Sequence, residues 1–128
     1  MRLDLELLVW ATALTLLQGI IAAVGTIPLL GLPAVAGNRE NLPPIQGWAG
    51  RAQRAHRNML ESLVLFAALV LVAHAAGRSN AMTVLGAQLF FWARLAYAPI
   101  YIAGIAWLRT GVWTISIIGL ALIFLQLL

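Results

Sequence analysis

Long apolar segments constrain this chain more than any other feature. Residues 7–30 and 62–76 carry almost no charge, and two further apolar segments fill most of the chain after residue 81. A helix of about 20 apolar residues is long enough to cross the hydrocarbon core of a bilayer. Hydrophobic residues make up 62% of the 128 residues and charged residues only 9%. Because a globular domain this small buries only about two-thirds of its chain surface, the sequence predicts an integral membrane protein.

Breaker residues divide the chain into four predicted transmembrane helices, and the expected fold class is an all-α four-helix bundle. The helices are expected at about 5–30, 51–76, 81–102 and 109–127. Pro28 is placed to bend or end the first helix, and the Gly- and Pro-rich segment 31–50 predicts the one long loop. Gly77 is expected to cap the second helix, and Ser79 or Asn80 to cap the third. Residues 1–128 are predicted to form a single transmembrane domain.

The positive residues predict how the bundle is oriented. The net charge is +4 and every basic residue is an arginine. The first loop and the entrance of the second helix hold Arg39, Arg51, Arg54 and Arg57, and Arg109 lies at the third connection, on the same side. The positive-inside rule therefore predicts that the first and third connections are cytoplasmic. Nucleic acid is not expected as a partner, because the arginines are divided among loops and helix ends and form no exposed basic arm.

A polar stripe opens the second helix, in the stretch RAQRAHRNMLE at 51–61. Four of its residues are spaced by three, four and seven positions and share a helix face of roughly 100°: Arg54, Arg57, Asn58 and Glu61. His56 projects from nearly the opposite side. Ionisable groups at membrane depth normally face a protein interior or a water-filled cavity, so we interpret the stripe as the wall of a polar pocket. The alternative, a collar of arginines reaching the membrane surface, fits Arg51 better than Glu61.

Two further features are predicted to converge on the stripe. Tyr97 and Tyr101 are four residues apart and therefore stack on one side of the third helix, and Arg109 begins the fourth. Guanidinium groups, a carboxylate and phenols together suit a small zwitterionic ligand with more than one carboxylate. Each feature has an alternative, since tyrosines also form interfacial belts and Arg109 could be a positive-inside anchor. The spacing leaves the role of Arg94 open, with a structural pairing to Glu61 as one option.

Metal and thiol chemistry are not expected from the protein itself. The chain has no cysteine, so a thiol that takes part in the chemistry must come from a ligand. His56 and His74 are far apart, and few acidic residues accompany them, so no metal site is predicted. His74 is interpreted as a packing or interface residue.

These residues carry a resemblance to a known family. RAQRAHRNMLESLVLFAALV resembles the second-helix signature of the MAPEG family, the membrane-associated proteins of eicosanoid and glutathione metabolism, and FFWARLAYAPIYIAGIAWLRT resembles its third helix and arginine-bearing turn. The resemblance implies a homotrimer that binds glutathione between subunits, near the cytoplasmic face. Carried over by position, it implies that these residues contact glutathione: Arg54, Arg57, Asn58, Glu61, Tyr97 and Tyr101. It also implies that Arg109 stabilises the glutathione thiolate. Ser62 stands where some members have tyrosine.

The resemblance implies a membrane-bound glutathione transferase or peroxidase that acts on lipophilic electrophiles or hydroperoxides, in a bacterial inner membrane. Glutathione would be the co-substrate, and membrane lipid a partner. One alternative is a non-catalytic, lipid-binding or scaffold member of the same family. Another is a small four-helix multidrug exporter, which needs a membrane-embedded carboxylate in the first helix. The only acids there are Asp4 and Glu6, at its very start, which disfavours the exporter.

Overall fold

The computed structural model describes residues 2–37 and 45–128. Its helices are α1 (Leu3–Leu30), α2 (Leu32–Ala36), α3 (Gly47–Ala75), α4 (Ala81–Ala103) and α5 (Ala106–Gln126). The four long helices form the predicted all-α bundle, and the two described ranges contain no strand. The third of these, α4, packs against α1, α3 and α5, so it holds the bundle together.

The segment between the first two long helices is more helical than predicted. Helix α1 continues past Pro28 and ends at Leu30, because Gly31 adopts a φ of 86°. The prediction of one loop over 31–50 is therefore wrong at both ends: α2 follows Gly31 directly, and α3 begins at Gly47 instead of residue 51. Alanines and a tryptophan after Gly47 continue a helix without strain. The predicted loop residue Arg39 lies outside the described residues.

The turn between α3 and α4 confirms the predicted caps. Gly77 has a φ of 69°, and the N–H groups of Gly77 and Arg78 donate to the carbonyls of His74 and Ala73, at 3.2 and 2.8 Å. This pair of bonds is a Schellman motif, which closes a helix with glycine in the left-handed conformation. Asn80, rather than Ser79, caps α4, since its side chain accepts hydrogen bonds from the next turn.

The connection between α4 and α5 is shorter than predicted. Gly104 ends α4 in the left-handed conformation, with φ 81° and ψ 25°, and the extended Ile105 is the N-cap of α5. Helix α5 therefore begins at Ala106, three residues before the predicted start at 109. Because one left-handed residue and one extended residue reverse the chain, Arg109 lies in the first turn of α5, next to the end of α4.

The core is apolar, and all four long helices contribute buried residues to it. The rings of Phe66 and Phe90 stack with their centroids 4.2 Å apart, and both side chains are fully buried. Helices α4 and α5 approach each other closely at two glycines. A Cβ built on Gly86 would lie 2.5 Å from the carbonyl oxygen of Gly119, and one built on Gly119 equally close to that of Gly86. Only glycine permits this contact between the two backbones.

The surface matches a membrane environment. Helices α1, α3 and α5 are each long and apolar enough to cross a bilayer by length and composition. Helix α4 has 23 residues, but Gln88, Arg94 and its tyrosines lower its hydropathy. Large apolar side chains are exposed along the bundle, among them Val64 at 68% and Leu16 at 67%. A surface this apolar is stable against lipid and not against water, which identifies an integral membrane protein.

Candidate functional site: a polar cleft between α3, α4 and α5

A cleft of about 350 Å³ opens between α3, α4 and α5 near the α4–α5 connection. Six of the described residues line it: Asn58, Tyr97, Tyr101, Arg109, Thr110 and Trp113. Four of these were predicted from the sequence to lie in one site. The structure therefore brings together one residue of the helix-entrance stripe, the tyrosine pair and the arginine of the fourth long helix.

The two tyrosines and Arg109 form a contact series along one wall of the cleft. The rings of Tyr97 and Tyr101 meet edge to face, with centroids 5.5 Å apart. The guanidinium carbon of Arg109 lies 4.6 Å from the centroid of the Tyr101 ring. At this distance a cation is attracted to the face of an aromatic ring. The ring therefore holds the Arg109 side chain over the cleft instead of leaving it free to reach the membrane surface.

Local structure explains why these side chains meet. Tyr97 and Tyr101 are one helical turn apart on α4, so they project in the same direction. The short reversal at Gly104 then returns the chain so that the first turn of α5 lies beside the last turn of α4. The N-terminal turn of a helix also carries a partial positive charge, which adds to the charge of Arg109 at the same end of the cleft.

Asn58 enters the cleft from α3, and a buried arginine fixes it. The Nη2 atom of Arg94 donates to the carbonyl oxygen of Asn58 at 3.0 Å and to its side-chain oxygen at 2.5 Å. The same nitrogen donates to the Ser62 hydroxyl at 2.5 Å. The side-chain oxygen of Asn58 is therefore occupied, and its amide N–H groups remain available as donors to a ligand.

The other three residues of the predicted glutathione stripe lie outside this cleft. Arg54 and Glu61 are exposed on the outer surface of α3, and Arg57 lines a groove of about 250 Å³ on the α1 side. On a helix, Glu61 is rotated by about 60° and Arg57 by about 100° from Asn58. The four residues of the stripe are neighbours on the helix surface, but only Asn58, at one edge of the stripe, faces α4 and α5.

His56 lies on the opposite side of α3 from the cleft, as its spacing predicted. It packs against Gly19 of α1, where an added Cβ would lie 2.9 Å from its Nε2 atom. It lines the Arg57 groove and also a neighbouring apolar groove of about 490 Å³ between α1 and α3. We interpret a histidine that packs against glycine at a helix contact as a packing residue. One side of α3 therefore packs against α1, and the other side lines the polar cleft.

Sequence reasoning missed part of the cleft. Thr110 and Trp113 also line it. They follow Arg109 by one and four positions, and this spacing could have indicated that they lie near Arg109 on the same helix. The sequence pattern assigns no role to Arg94 and allows a pairing with Glu61. The structure pairs it with Asn58 and Ser62 instead, and the only ion pair within residues 2–37 and 45–128 joins Arg2 to Asp4 at 3.6 Å.

The chemistry of the cleft is that of an anion-accepting site. Arg109, the amide of Asn58 and two phenols supply hydrogen-bond donors, and Trp113 supplies an apolar wall. Within residues 2–37 and 45–128, no carboxylate lines the cleft. The donor set therefore fits a ligand that carries carboxylates, and a thiolate would be favoured near Arg109. Among the described residues, no group of three or more His, Asp or Glu side chains is placed to hold a metal ion.

Fold and site together define a class: a helical membrane protein with a donor-rich cleft near one end of its bundle. The chain belongs to the MAPEG family, since the sequence model of that family matches residues 5–128. The family includes glutathione transferases and peroxidases as well as non-catalytic members. No curated protein and no solved structure matched the chain. The resemblance predicted from the second and third helices is thus confirmed over nearly the whole chain.

Proposed function

We propose that this protein is a membrane-bound glutathione transferase or peroxidase acting on lipophilic electrophiles or hydroperoxides. The observation that carries the proposal is the cleft in which Asn58, Tyr97, Tyr101 and Arg109 meet, in a chain that belongs to the MAPEG family. Glutathione supplies the thiol whose conjugate base is the nucleophile. The apolar surface of the bundle gives a lipophilic substrate access through the bilayer.

Arg109 is the catalytic residue in this proposal. The pKa of a free cysteine thiol is about 8.5, so only a few per cent is thiolate at neutral pH. Lowering the thiol pKa by about two would require about 2.7 kcal/mol of differential stabilisation. One guanidinium in a site of reduced dielectric can supply that amount. Tyr101 holds this guanidinium in place, at 4.6 Å from its ring.

The peptide part of glutathione is assigned to the remaining site residues. Asn58 and Tyr97 donate to it from within the cleft. Arg54, Arg57 and Glu61 lie on the surface of the protomer, so they contact it only if the ligand lies at a boundary between subunits. The proposal therefore includes a homotrimer with its ligand between neighbouring chains. This arrangement uses the charges that are exposed on the described part of a single chain.

The proposed location is a bacterial inner membrane, with the cleft near the cytoplasmic face. The support is the positive-inside pattern, because Arg51, Arg54, Arg57 and Arg109 all lie at the cleft end of the bundle. Arg78 and the residues around Arg2 lie at the other end.

A non-catalytic, lipid-binding member of the family is the second candidate. The apolar groove of about 490 Å³ between α1 and α3 favours it, because Leu16, Ile20, Leu60 and Leu63 line a space that suits an acyl chain. Glutathione binding discriminates the two candidates, since a lipid-binding scaffold has no need of the donors in the cleft.

Calorimetry with glutathione in detergent tests the proposal. We expect the wild type to bind glutathione and Asn58→Ala to bind it roughly tenfold or more weakly, because a hydrogen bond to a charged ligand is worth about 1.5–3 kcal/mol. Arg78→Ala is the matched control, since Arg78 is exposed at the other end of the bundle. A wild type without binding heat would refute the proposed function.

A further inference from the structure

Arg94 is the largest side chain that the bundle buries completely, at 1% exposure. It lies in the middle of α4, and its guanidinium faces α3. Burying an ion costs several kcal/mol unless partners compensate, and apolar residues of similar volume often serve stability as well or better. Packing alone therefore does not explain an arginine at this position.

The contacts of Arg94 lead to the cleft, although Arg94 does not line it. Its Nη2 atom binds the side-chain oxygen of Asn58 at 2.5 Å, and its guanidinium carbon lies 4.5 Å from the centroid of the Tyr97 ring. Asn58 and Tyr97 are two of the six cleft residues. One buried group thus contacts a side chain from α3 and another from α4, and both of these side chains line the same cleft.

The charge of Arg94 is not neutralised within the described part of the chain. Its Nε and Nη1 atoms have no hydrogen-bond partner among those residues, and its Nη2 partners Asn58 and Ser62 are neutral. Tyr97 both contacts this cation and lines the cleft. In a medium of low dielectric an unneutralised charge acts over a longer distance than in water, so it favours anions in the neighbouring cleft.

We propose that Arg94 is a positioning residue of the cleft, which fixes Asn58 and Tyr97 and whose buried charge favours an anionic ligand. Ser62 is the second anchor of this arginine. Its hydroxyl accepts from Arg94 and is itself within 3.1 Å of the Met59 carbonyl. The inference rests on the proposed function, because glutathione is the anion that it assigns to the cleft.

Two substitutions of Arg94 distinguish the effect of its contacts with Asn58 and Tyr97 from the effect of its charge. Arg94→Met keeps the length of the side chain and removes both the charge and the donors. Arg94→Lys keeps the charge but loses the planar fork that bonds Asn58 while it stacks on Tyr97. The probes are glutathione and glutathione diethyl ester, in which both carboxylates are blocked. Arg78→Met is the control variant.

Binding of both probes is measured by calorimetry in detergent, with thermal unfolding recorded for each variant. We expect Arg94→Met to bind glutathione roughly tenfold or more weakly and to lose part of the preference for glutathione over its diester. Arg94→Lys should also bind more weakly but keep that preference. Arg78→Met should match the wild type in both respects.

The outcomes distinguish this inference from the proposed function. Suppose that the wild type binds glutathione. If Arg94→Met then binds both probes as the wild type does, or loses affinity for both equally, the inference is overturned and the proposed function stands. If Arg94→Met does not fold, Arg94→Lys decides, and wild-type affinity in that variant overturns the inference. If the wild type does not bind glutathione, both the inference and the proposed function are overturned.

Discussion

Tyr101 and Arg109 make the contact on which the proposed chemistry depends most. The ring face fixes a cation that would otherwise sample many positions at the membrane interface. Because the guanidinium lies 4.6 Å from the ring centroid, the aromatic ring matters more to this contact than the phenol hydroxyl does. The position of the catalytic charge is therefore a property of two residues on different helices.

A pair of substitutions at Tyr101 tests that contact. Tyr101→Phe keeps the ring face and should retain most of the glutathione conjugation rate. Tyr101→Leu removes the ring and should lower the rate roughly two- to thirtyfold, because a cation–π contact is worth about 0.5–2 kcal/mol. Steady-state rates with a lipophilic electrophile give the comparison. A Tyr101→Phe variant as slow as Tyr101→Leu would show that the hydroxyl matters instead.

The glycine crossing fixes how close α4 lies to α5 at this level of the bundle. Gly119→Ala would place a Cβ 2.5 Å from the carbonyl oxygen of Gly86, so the helices must separate. We expect a loss of about 1–3 kcal/mol in the free energy of unfolding, as for other overpacked contacts. Gly111→Ala is the control on the same helix, because an added Cβ there meets nothing within 4 Å.

Thermal unfolding in detergent tests the predicted effect of the contact between Gly86 and Gly119. The Gly111 variant should unfold at or slightly above the wild-type temperature, since alanine favours a helix interior over glycine by up to about 1 kcal/mol. Equal unfolding temperatures for the Gly111 and Gly119 variants would contradict the close approach of the two helices.

A hydrogen bond from α3 positions the turn that carries Arg109. The Nε atom of Arg51 donates to the carbonyl oxygen of Ile102 at 2.7 Å, and the Arg51 side chain lies beside Gly104. Arg51→Met should cost about 0.5–1.5 kcal/mol in the free energy of unfolding, the net contribution of a typical hydrogen bond, because this bond is only partly buried. It should also speed amide hydrogen exchange in residues 102–106. Unchanged exchange there would contradict this positioning role.

The sequence predicted the cleft better than it predicted the partners of each residue. Spacing placed Tyr97 and Tyr101 on one side of a helix, and the cost of charge in lipid marked Asn58 and its neighbours as a site. Spacing alone cannot say which part of a 100° face meets the next helix, so it did not separate Asn58 from Glu61. The pairing of Arg94 with Ser62 depends on the register between α3 and α4, which no local pattern encodes.

At the scale of the whole molecule, the exposed charges of α3 are the reason for proposing a neighbouring subunit. Arg54, Arg57 and Glu61 are exposed in the part of the chain that the structure describes, and lipid around a bundle disfavours uncovered charge. We predict that the protein is a trimer in mild detergent, as native mass spectrometry can measure. Arg54→Leu and Glu61→Leu should lower the affinity for glutathione more than they lower the stability of the trimer. A monomeric wild type would contradict the proposed site between subunits.

The ultraviolet difference spectrum of glutathione added to the protein tests the central claim most directly, because a thiolate absorbs where a thiol does not. The cleft should generate a thiolate signal at neutral pH in the wild type. Arg109→Ala should lose that signal while its oligomeric state stays the same, and Arg78→Ala should keep it. A thiolate signal of wild-type size in Arg109→Ala, or none in the wild type, would contradict the claim that this cleft holds glutathione as an anion.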